Sequence, residues 1–256
     1  MVADDFSRAH RLFEHAQRIV VLSGAGISTD SGIPDFRGPD GLWARDPLAG
    51  RRATLSAYLN DPELRAAAWR RLADPSRPVP TPNAGHRALV GLEAAGRLEL
   101  LATQNTDGLH LAAGHHRDRV VELHGSIRRT RCWRCGVEGD TELVVERVRA
   151  GEADPHCMAI VDGAPCGGLL KGSTILFGEP LDATLLRRAA LAVRAADLLM
   201  AVGTTLSVRP AAGLVHFAHE IGRPIVILTK GSTELDHLAQ ARLDGSISEL
   251  LPALCA

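Results

Sequence analysis

The run Ile19-Val20-Val21-Leu22, passing directly into Ser23-Gly24-Ala25-Gly26, constrains this chain more than any other feature. Four apolar residues closed off by glycines are too few for a helix and read as a strand buried on both faces, as in parallel sheets. Glycines at the carboxyl end of such a strand make a tight turn whose amides can receive a phosphate group. A helical pattern precedes the strand (Phe6, Ala9, Phe13, Ala16, with Asp4 or Asp5 as N-cap). Further apolar runs follow at 98–102, 120–123, 198–202 and 225–228, and helical stretches at 84–95, 183–195 and 211–221 separate several of them. Strands alternating with helices predict an α/β fold on a doubly wound parallel sheet that binds a nucleotide at the glycine turn.

Two segments break the alternation. Residues 38–82 are rich in Arg and Ala and mostly helical in pattern, and residues 128–172 hold four of the five cysteines. Read as insertions, they pack together as a smaller domain and leave 1–37, 83–127 and 173–256 to the nucleotide-binding one. At 256 residues and 45% hydrophobic, the chain can bury its core without staples. A net charge of −1 supplies no basic field for nucleic acid. Arg194 and Asp197 interrupt the longest apolar stretch, so no membrane span is expected. The acidic N-terminus lacks a secretory apolar region, which makes the cytoplasm the expected compartment.

In that setting a cysteine cluster reads as a metal site before it reads as disulfides. Cys132-Trp133-Arg134-Cys135 is a C-x₂-C knuckle, and Cys157 and Cys166 complete four thiolates, the closed tetrahedral set of structural zinc. Cys255 stands apart as a free thiol. Other polar groups gather at predicted strand ends, where open α/β sheets hold ligands. They are Gln104-Asn105-Thr106-Asp107, then His124-Gly125, then Gly203-Thr204-Thr205. An imidazole near its ordinary pKa of ~6.5 is a natural general base, and Gly125 beside it gives a substrate room to approach. The other histidines, His115 and His116 among them, read as surface residues.

Taken in order, these segments resemble the signature elements of the sirtuins, the NAD-dependent protein deacylases. The string from Gly24 to Gly38 looks like their NAD-binding signature, Gln104 to Asp107 like their Gln-Asn-Ile-Asp element, and His124 like their catalytic histidine. Thr174-Ile175-Leu176-Phe177-Gly178-Glu179-Pro180 resembles the segment that pairs with an extended substrate peptide. The resemblance covers nearly the whole chain. It implies a Rossmann-like NAD domain with a smaller zinc-binding and helical domain inserted, and acyl-lysine peptides as partners.

The family reaction passes through an alkylimidate and releases nicotinamide, free lysine and O-acyl-ADP-ribose, with His124, Asn105 and Asp107 as the catalytic residues. NAD contacts are implied for Gly24, Ala25, Gly26, Ser28, Asp35, Phe36, Arg37, Gln104, Asn105, Thr106, Asp107, Gly203, Thr204, Thr205, Thr229, Lys230, Gly231 and Ile247. Phe177, Gly178 and Glu179 fall to the substrate.

The chain departs from the pattern in places. Thr106 replaces the usual isoleucine, whereas Thr29, at the third glycine position of the dehydrogenase G-x-G-x-x-G, only sets the loop apart from that other fingerprint. The last cysteines are spaced Cys157-x₈-Cys166, so the family's third ligand position falls on Gly163. Cys157 is the favoured third ligand, with His156 or Asp162 as substitutes. Thr229 stands where the family carries asparagine. The Tyr-x-x-Arg pair of succinyl-preferring members is absent, because Tyr58 is followed three residues later by Asp61, with Arg70 or Arg71 as the arginine that would have to serve instead. An acetyl group is the expected acyl chain. A mono-ADP-ribosyltransferase and a non-catalytic NAD or ADP-ribose sensor are the rival readings.

Overall fold

The structure is a computed structural model that describes residues 2–36, 41, 42, 46, 50 and 53–255. From the amino terminus the elements are α1 (Val2–His15), β1 (Ile19–Ser23), α2 (Leu55–Asn60), α3 (Pro62–Ala73), α4 (Ala84–Ala94), β2 (Leu98–Thr103), α5 (Leu109–Ala113) and β3 (Val120–Glu122). Then come β4 (Arg129–Cys132), β5 (Glu138–Asp140), α6 (Thr141–Arg149), β6 (Ile160–Val161), β7 (Ala164–Pro165) and β8 (Leu170–Gly172). The chain closes with α7 (Ala183–Ala195), β9 (Leu198–Val202), α8 (Gly213–Glu220), β10 (Ile225–Leu228), β11 (Ala241–Leu243) and α9 (Ile247–Cys255).

Six strands form one sheet in the order β11-β10-β9-β1-β2-β3, every pair parallel. The chain starts at β1 in the middle, builds outward to β3, crosses back to β9 on the other side of β1, and builds outward again. Winding therefore reverses between β1 and β9, and a ligand crevice belongs at the carboxyl ends of these strands. The period of two along each strand divides the core. Val20, Leu22, Leu199, Ala201, Ile225 and Ile227 pack with residues of α7 and α8. Ile19, Val21, Met200, Val226 and Leu228 pack on the other face with residues of α1, α4 and α9. Among the described residues no helix is long and apolar enough to cross a membrane.

The second unit is smaller. β5-β4-β8 make an antiparallel sheet beside the β6–β7 hairpin. Its core joins Trp69 of α3 to Cys132, Val144, Cys157, Cys166 and Leu170, so the helical and cysteine-bearing insertions share one interior. Arg65 ties them further. Its Nε and Nη2 reach both oxygens of Asp154 at 2.8–3.2 Å, and its Nη1 donates to the carbonyls of Tyr58 and Leu59 at 3.0 Å. The Tyr58 hydroxyl donates to the carbonyl of Leu170 at 2.8 Å.

Several local expectations need correction. α1 begins at Val2, which puts Asp4 and Asp5 inside its first turn; there they favour the helix dipole instead of capping. After β1 the glycine turn continues as two 3₁₀ turns, Ala25–Ile27 and Thr29–Ser31, and not as an α-helix. Thr29 is accommodated because its hydroxyl donates to the Gly26 carbonyl at 3.0 Å. The sequence reading also missed β11 and α9. Three residues are too few to show a period, and Pro252 sits within α9. Finally, the histidines do not all lie at the surface, since His86, His110 and His115 are buried.

Candidate active site

The polar groups singled out at strand ends converge at the carboxyl edge of the sheet. Gly24 and Gly26 follow β1, and Gly203 follows β9 at φ +62°. A Cβ on Gly26 would lie 2.8 Å from the Gly203 Cα, and one on Gly203 would lie 2.4 Å from the Ile27 amide. The two turns meet backbone to backbone, which no larger residue permits. Ala25 borders this junction. Asn83, the N-cap of α4, pins the loop from the other side, its amide donating to the Ile27 carbonyl at 2.7 Å and to Ser31 Oγ at 3.0 Å.

The next group is a closed network. Asn105 Nδ2 donates to Ser28 Oγ at 3.1 Å, and Ser28 Oγ donates to Asp107 Oδ2 at 2.8 Å. Asp107 Oδ1 accepts the Leu109 amide at 2.9 Å. The serine of the glycine loop thus orients both side chains of the Asn-x-Asp element. Gln104 donates through Nε2 to Thr204 Oγ1 at 3.0 Å, linking the ends of β2 and β9. The Thr106 carbonyl accepts the Ile127 amide at 2.9 Å, so threonine in place of isoleucine leaves a hydrogen-bonded loop.

His124 lies two residues past the end of β3. Its Nδ1 is 2.9 Å from the Gln104 carbonyl oxygen, which can only accept, so Nδ1 carries the proton and Nε2 presents a lone pair. Burial pulls this imidazole below its ordinary pKa, against the opposing effect of the bond to Gln104. It is therefore a neutral base at physiological pH. Gly125 also has a structural purpose. At φ +71° it receives the Ser173 carbonyl, which a Cβ would meet at 2.0 Å, so it joins the His124 turn to the segment after β8.

Other residues fall as follows. Thr205 is exposed, with Oγ1 2.9 Å from Ser207 Oγ. Thr229 is buried and its amide donates to Leu243, while Lys230 and Gly231 are exposed beside Asp244. Ile247 opens α9 and is buried against Gly85 within the core. Asp35 and the half-exposed Phe36 continue the glycine loop; Arg37 lies outside the described residues. The main chain of Phe177 is already paired in both directions, with Ala53 and Leu55. Gly178 follows at φ +89°. Glu179, expected at the substrate, turns inward instead. It forms a 3.0 Å ion pair with Lys171 and accepts the Leu176 amide at 3.2 Å.

The four cysteines come together as the zinc reading requires. Their sulfurs all lie within 4.8 Å of one another, with Cys132–Cys166 at 3.7 Å and Cys135–Cys157 at 3.8 Å. A tetrahedron with Zn–S of about 2.3 Å has edges of about 3.8 Å, which these two pairs match while every sulfur pair stays within 4.8 Å, so the donor set suits the ion. Burial opposes ionisation of Cys132, but the amides of Cys135 and Arg134, donating to its sulfur, outweigh it and bring the thiol down to about 7. Burial pushes Cys157 up to about 12. His156 instead binds the Gly167 carbonyl through Nδ1 at 2.9 Å, and Asp162 occupies a left-handed turn at φ +52°.

The sequence reading overlooked Asn83, Ser23, Thr103 and the buried histidines as supports of this site. Asn83 and His86 form a local capping box at the start of α4, but the bonds from Asn83 to Ile27 and from Ser23 to Thr103 and His110 join segments tens of residues apart.

Residues 24–210 match the Sir2 family. The "NAD-dependent protein deacetylase 2" of Streptomyces coelicolor is 45% identical over 236 residues, 92% of this chain and 95% of that protein. The "NAD-dependent protein deacetylase" of Haloarcula marismortui is 40% identical over 93% of this chain and 89% of its own. The solved structure described as "Structural Basis for the Mechanism and Regulation of Sir2 Enzymes" superposes with a TM-score of 0.85 at 34% identity, covering 98% of this chain and 96% of its own. Another, "Sir2-p53 peptide-NAD+", reaches 0.80 at 31% identity over 95% and 94%. With the family match spanning residues 24–210 and relatives of up to 45% identity along nearly the whole length, the chain belongs to the Sir2 family.

Proposed function

We propose that the protein is an NAD-dependent protein-lysine deacylase with acetyl-lysine as its leading substrate. The observation that carries this reading is the pairing of a correctly polarised base, His124 Nε2, with the Ser28–Asn105–Asp107 network at the winding reversal of a nucleotide-type sheet. A binding module needs the crevice but not the base.

NAD supplies an electrophilic ribose carbon and a departing nicotinamide; the chain's residues do the rest. Gly24, Gly26 and Gly203 keep the phosphate end of the crevice narrow. Thr204 and Gln104 present hydroxyl and amide groups toward the ribose, and Asp107 and Asn105 hold the nicotinamide end. His124 Nε2 accepts the proton of a ribose hydroxyl, and the bond from Nδ1 to Gln104 stabilises the imidazolium that results. Holding both reactants in one crevice converts an encounter into a positioned step.

An uncharged acyl group is favoured because Tyr58 is spent. Its hydroxyl is buried against Leu170, and burial raises its pKa, leaving it no part in recognising a carboxylate. Four-thiolate zinc is assigned to structure and not to chemistry, since a full tetrahedron has no open position. The shared interior around Trp69 supports division into a body of 1–37, 83–127 and 173–256 and a smaller one of 38–82 and 128–172. A cytoplasmic location completes the reading.

Incubation with NAD and acetyl-, propionyl- and succinyl-lysine peptides, read by mass spectrometry, tests it. Free nicotinamide, deacylated peptide and O-acyl-ADP-ribose are expected, with acetyl turned over fastest. ADP-ribose attached to protein without deacylation establishes the transferase instead, and no turnover by zinc-loaded folded protein refutes both.

A further inference from the structure

The chemistry proposed above leaves unused the buried histidines behind the Asn-x-Asp loop. His86, His110 and His115 are 0, 2 and 5% exposed. Their rings lie in a row, inclined to one another by 57° and 63°, with centres 4.9 Å apart for His86–His110 and 5.7 Å for His110–His115. One nitrogen of each is engaged. His86 Nδ1 is 3.0 Å from Asn83 Oδ1, His110 Nε2 is 2.9 Å from Ser23 Oγ, and His115 Nδ1 meets the Glu93 carboxylate. The remaining nitrogens have no hydrogen-bond partner among the described residues. Burial holds all three rings toward the neutral form, His86 down to about 4. A neutral ring wedged between two others has little freedom to turn.

The middle ring leads to the active site. Ser23 Oγ donates to Thr103 Oγ1 at 2.8 Å, which leaves its lone pair to accept from His110 Nε2–H. Thr103 Oγ1 in turn accepts the Asn105 amide at 3.0 Å. Asn105 and Asp107 then meet at Ser28. A chain of hydrogen bonds therefore runs from the histidine row through two hydroxyls to the main chain of the residue whose side chain faces the nicotinamide end.

We propose that His110 is a positioning residue for this enzyme: its Nε2–H fixes the Ser23 hydroxyl, Ser23 fixes Thr103, and Thr103 sets the turn from which Asn105 and Asp107 reach NAD. The inference rests on the deacylase reading, and it assigns a role in kcat to a side chain that touches neither substrate.

The test compares wild type, S23A, H110F, H110Q and the S23A/H110F double variant in steady-state deacetylation, with NAD and acetyl-peptide varied separately. S23A leaves the row of rings intact and removes only the relay. It lowers kcat about 10- to 100-fold, the scale of a sub-ångström misplacement, while KM for the peptide stays within roughly twofold. H110F does the same, and H110Q, whose amide can still donate to Ser23, recovers most of the loss. The double variant is no slower than the slower single one, because both break one chain. Should H110F fail to fold, S23A decides alone. Wild-type kcat in S23A, or losses that multiply in the double variant, overturn the inference. A wild type that releases no nicotinamide refutes the deacylase reading itself, and this inference with it.

Discussion

Replacing Cys157 by alanine removes the ligand whose spacing departs most from the family pattern. The structure sets the scale of the loss. Among the described residues, Cys132, Cys157 and Cys166 sit in the small unit's interior with Trp69, Val144 and Leu170, and Leu72, Val148 and Ala159 pack against them, so the ion's ligands are part of the core itself. Zinc in four-thiolate sites contributes about 10–16 kcal/mol to folding. Divided over four equivalent sulfurs that is roughly 2.5–4 kcal/mol each, or two to three powers of ten in affinity. C157A is expected to lose zinc to a competing chelator at least ~100-fold more readily than wild type. Trp69, only 1% exposed, should shift its emission to the red as the interior opens. Peptide turnover should fall with it, because β8 leads straight into the segment at 174–180. H156A and D162N should keep their zinc. The reasoning fails if C157A retains one equivalent at wild-type affinity, or if either control variant loses it.

Three further outcomes follow from the site's geometry. H124A should fold and bind NAD yet lose ~10²–10⁴-fold in kcat, the usual range for a general base. In wild type the acid limb of kcat/KM should have its midpoint below the ordinary value near ~6.5, since burial depresses this imidazole and protonation removes the accepting lone pair. A midpoint above neutrality would assign the limb elsewhere. G125A combines a left-handed conformation at φ +71° with a Cβ 2.0 Å from the Ser173 carbonyl. It should cost at least ~2 kcal/mol in urea unfolding and slow turnover, whereas a wild-type melting curve would mean that the Ser173 segment yields freely. K171M leaves the Glu179 carboxylate, 8% exposed, without its cation and should destabilise by ~3–5 kcal/mol. The K171M/E179Q pair should recover part of that loss, and equal stability of single and double variants would deny the pairing its role.

Strand positions at 19–22, 98–102, 198–202 and 225–228 were legible because a buried parallel strand is a run of apolar residues whatever surrounds it, and helical stripes are equally local. The same locality placed Gln104, Asp107, His124 and Gly203 at strand ends, and the family resemblance supplied their chemistry. What a residue touches is not local. Ser28 meets Asn105 and Asp107 across more than seventy residues of chain, and Gly125 meets Ser173 across nearly fifty. His86, His110 and His115 look like solvated polar residues one at a time, yet become a buried row of mutually tilted rings once α4 and α5 pack together. Glu179, assigned to the substrate by resemblance alone, proves to be half of a buried ion pair once Lys171 arrives from β8. Periodicity and turn chemistry belong to the sequence alone, because they depend on neighbours within a few bonds. The hydrogen-bond partners, the burial of charge and the third zinc ligand waited on strand order, because only the folded sheet brings distant segments within the three ångströms or so over which a hydrogen bond acts.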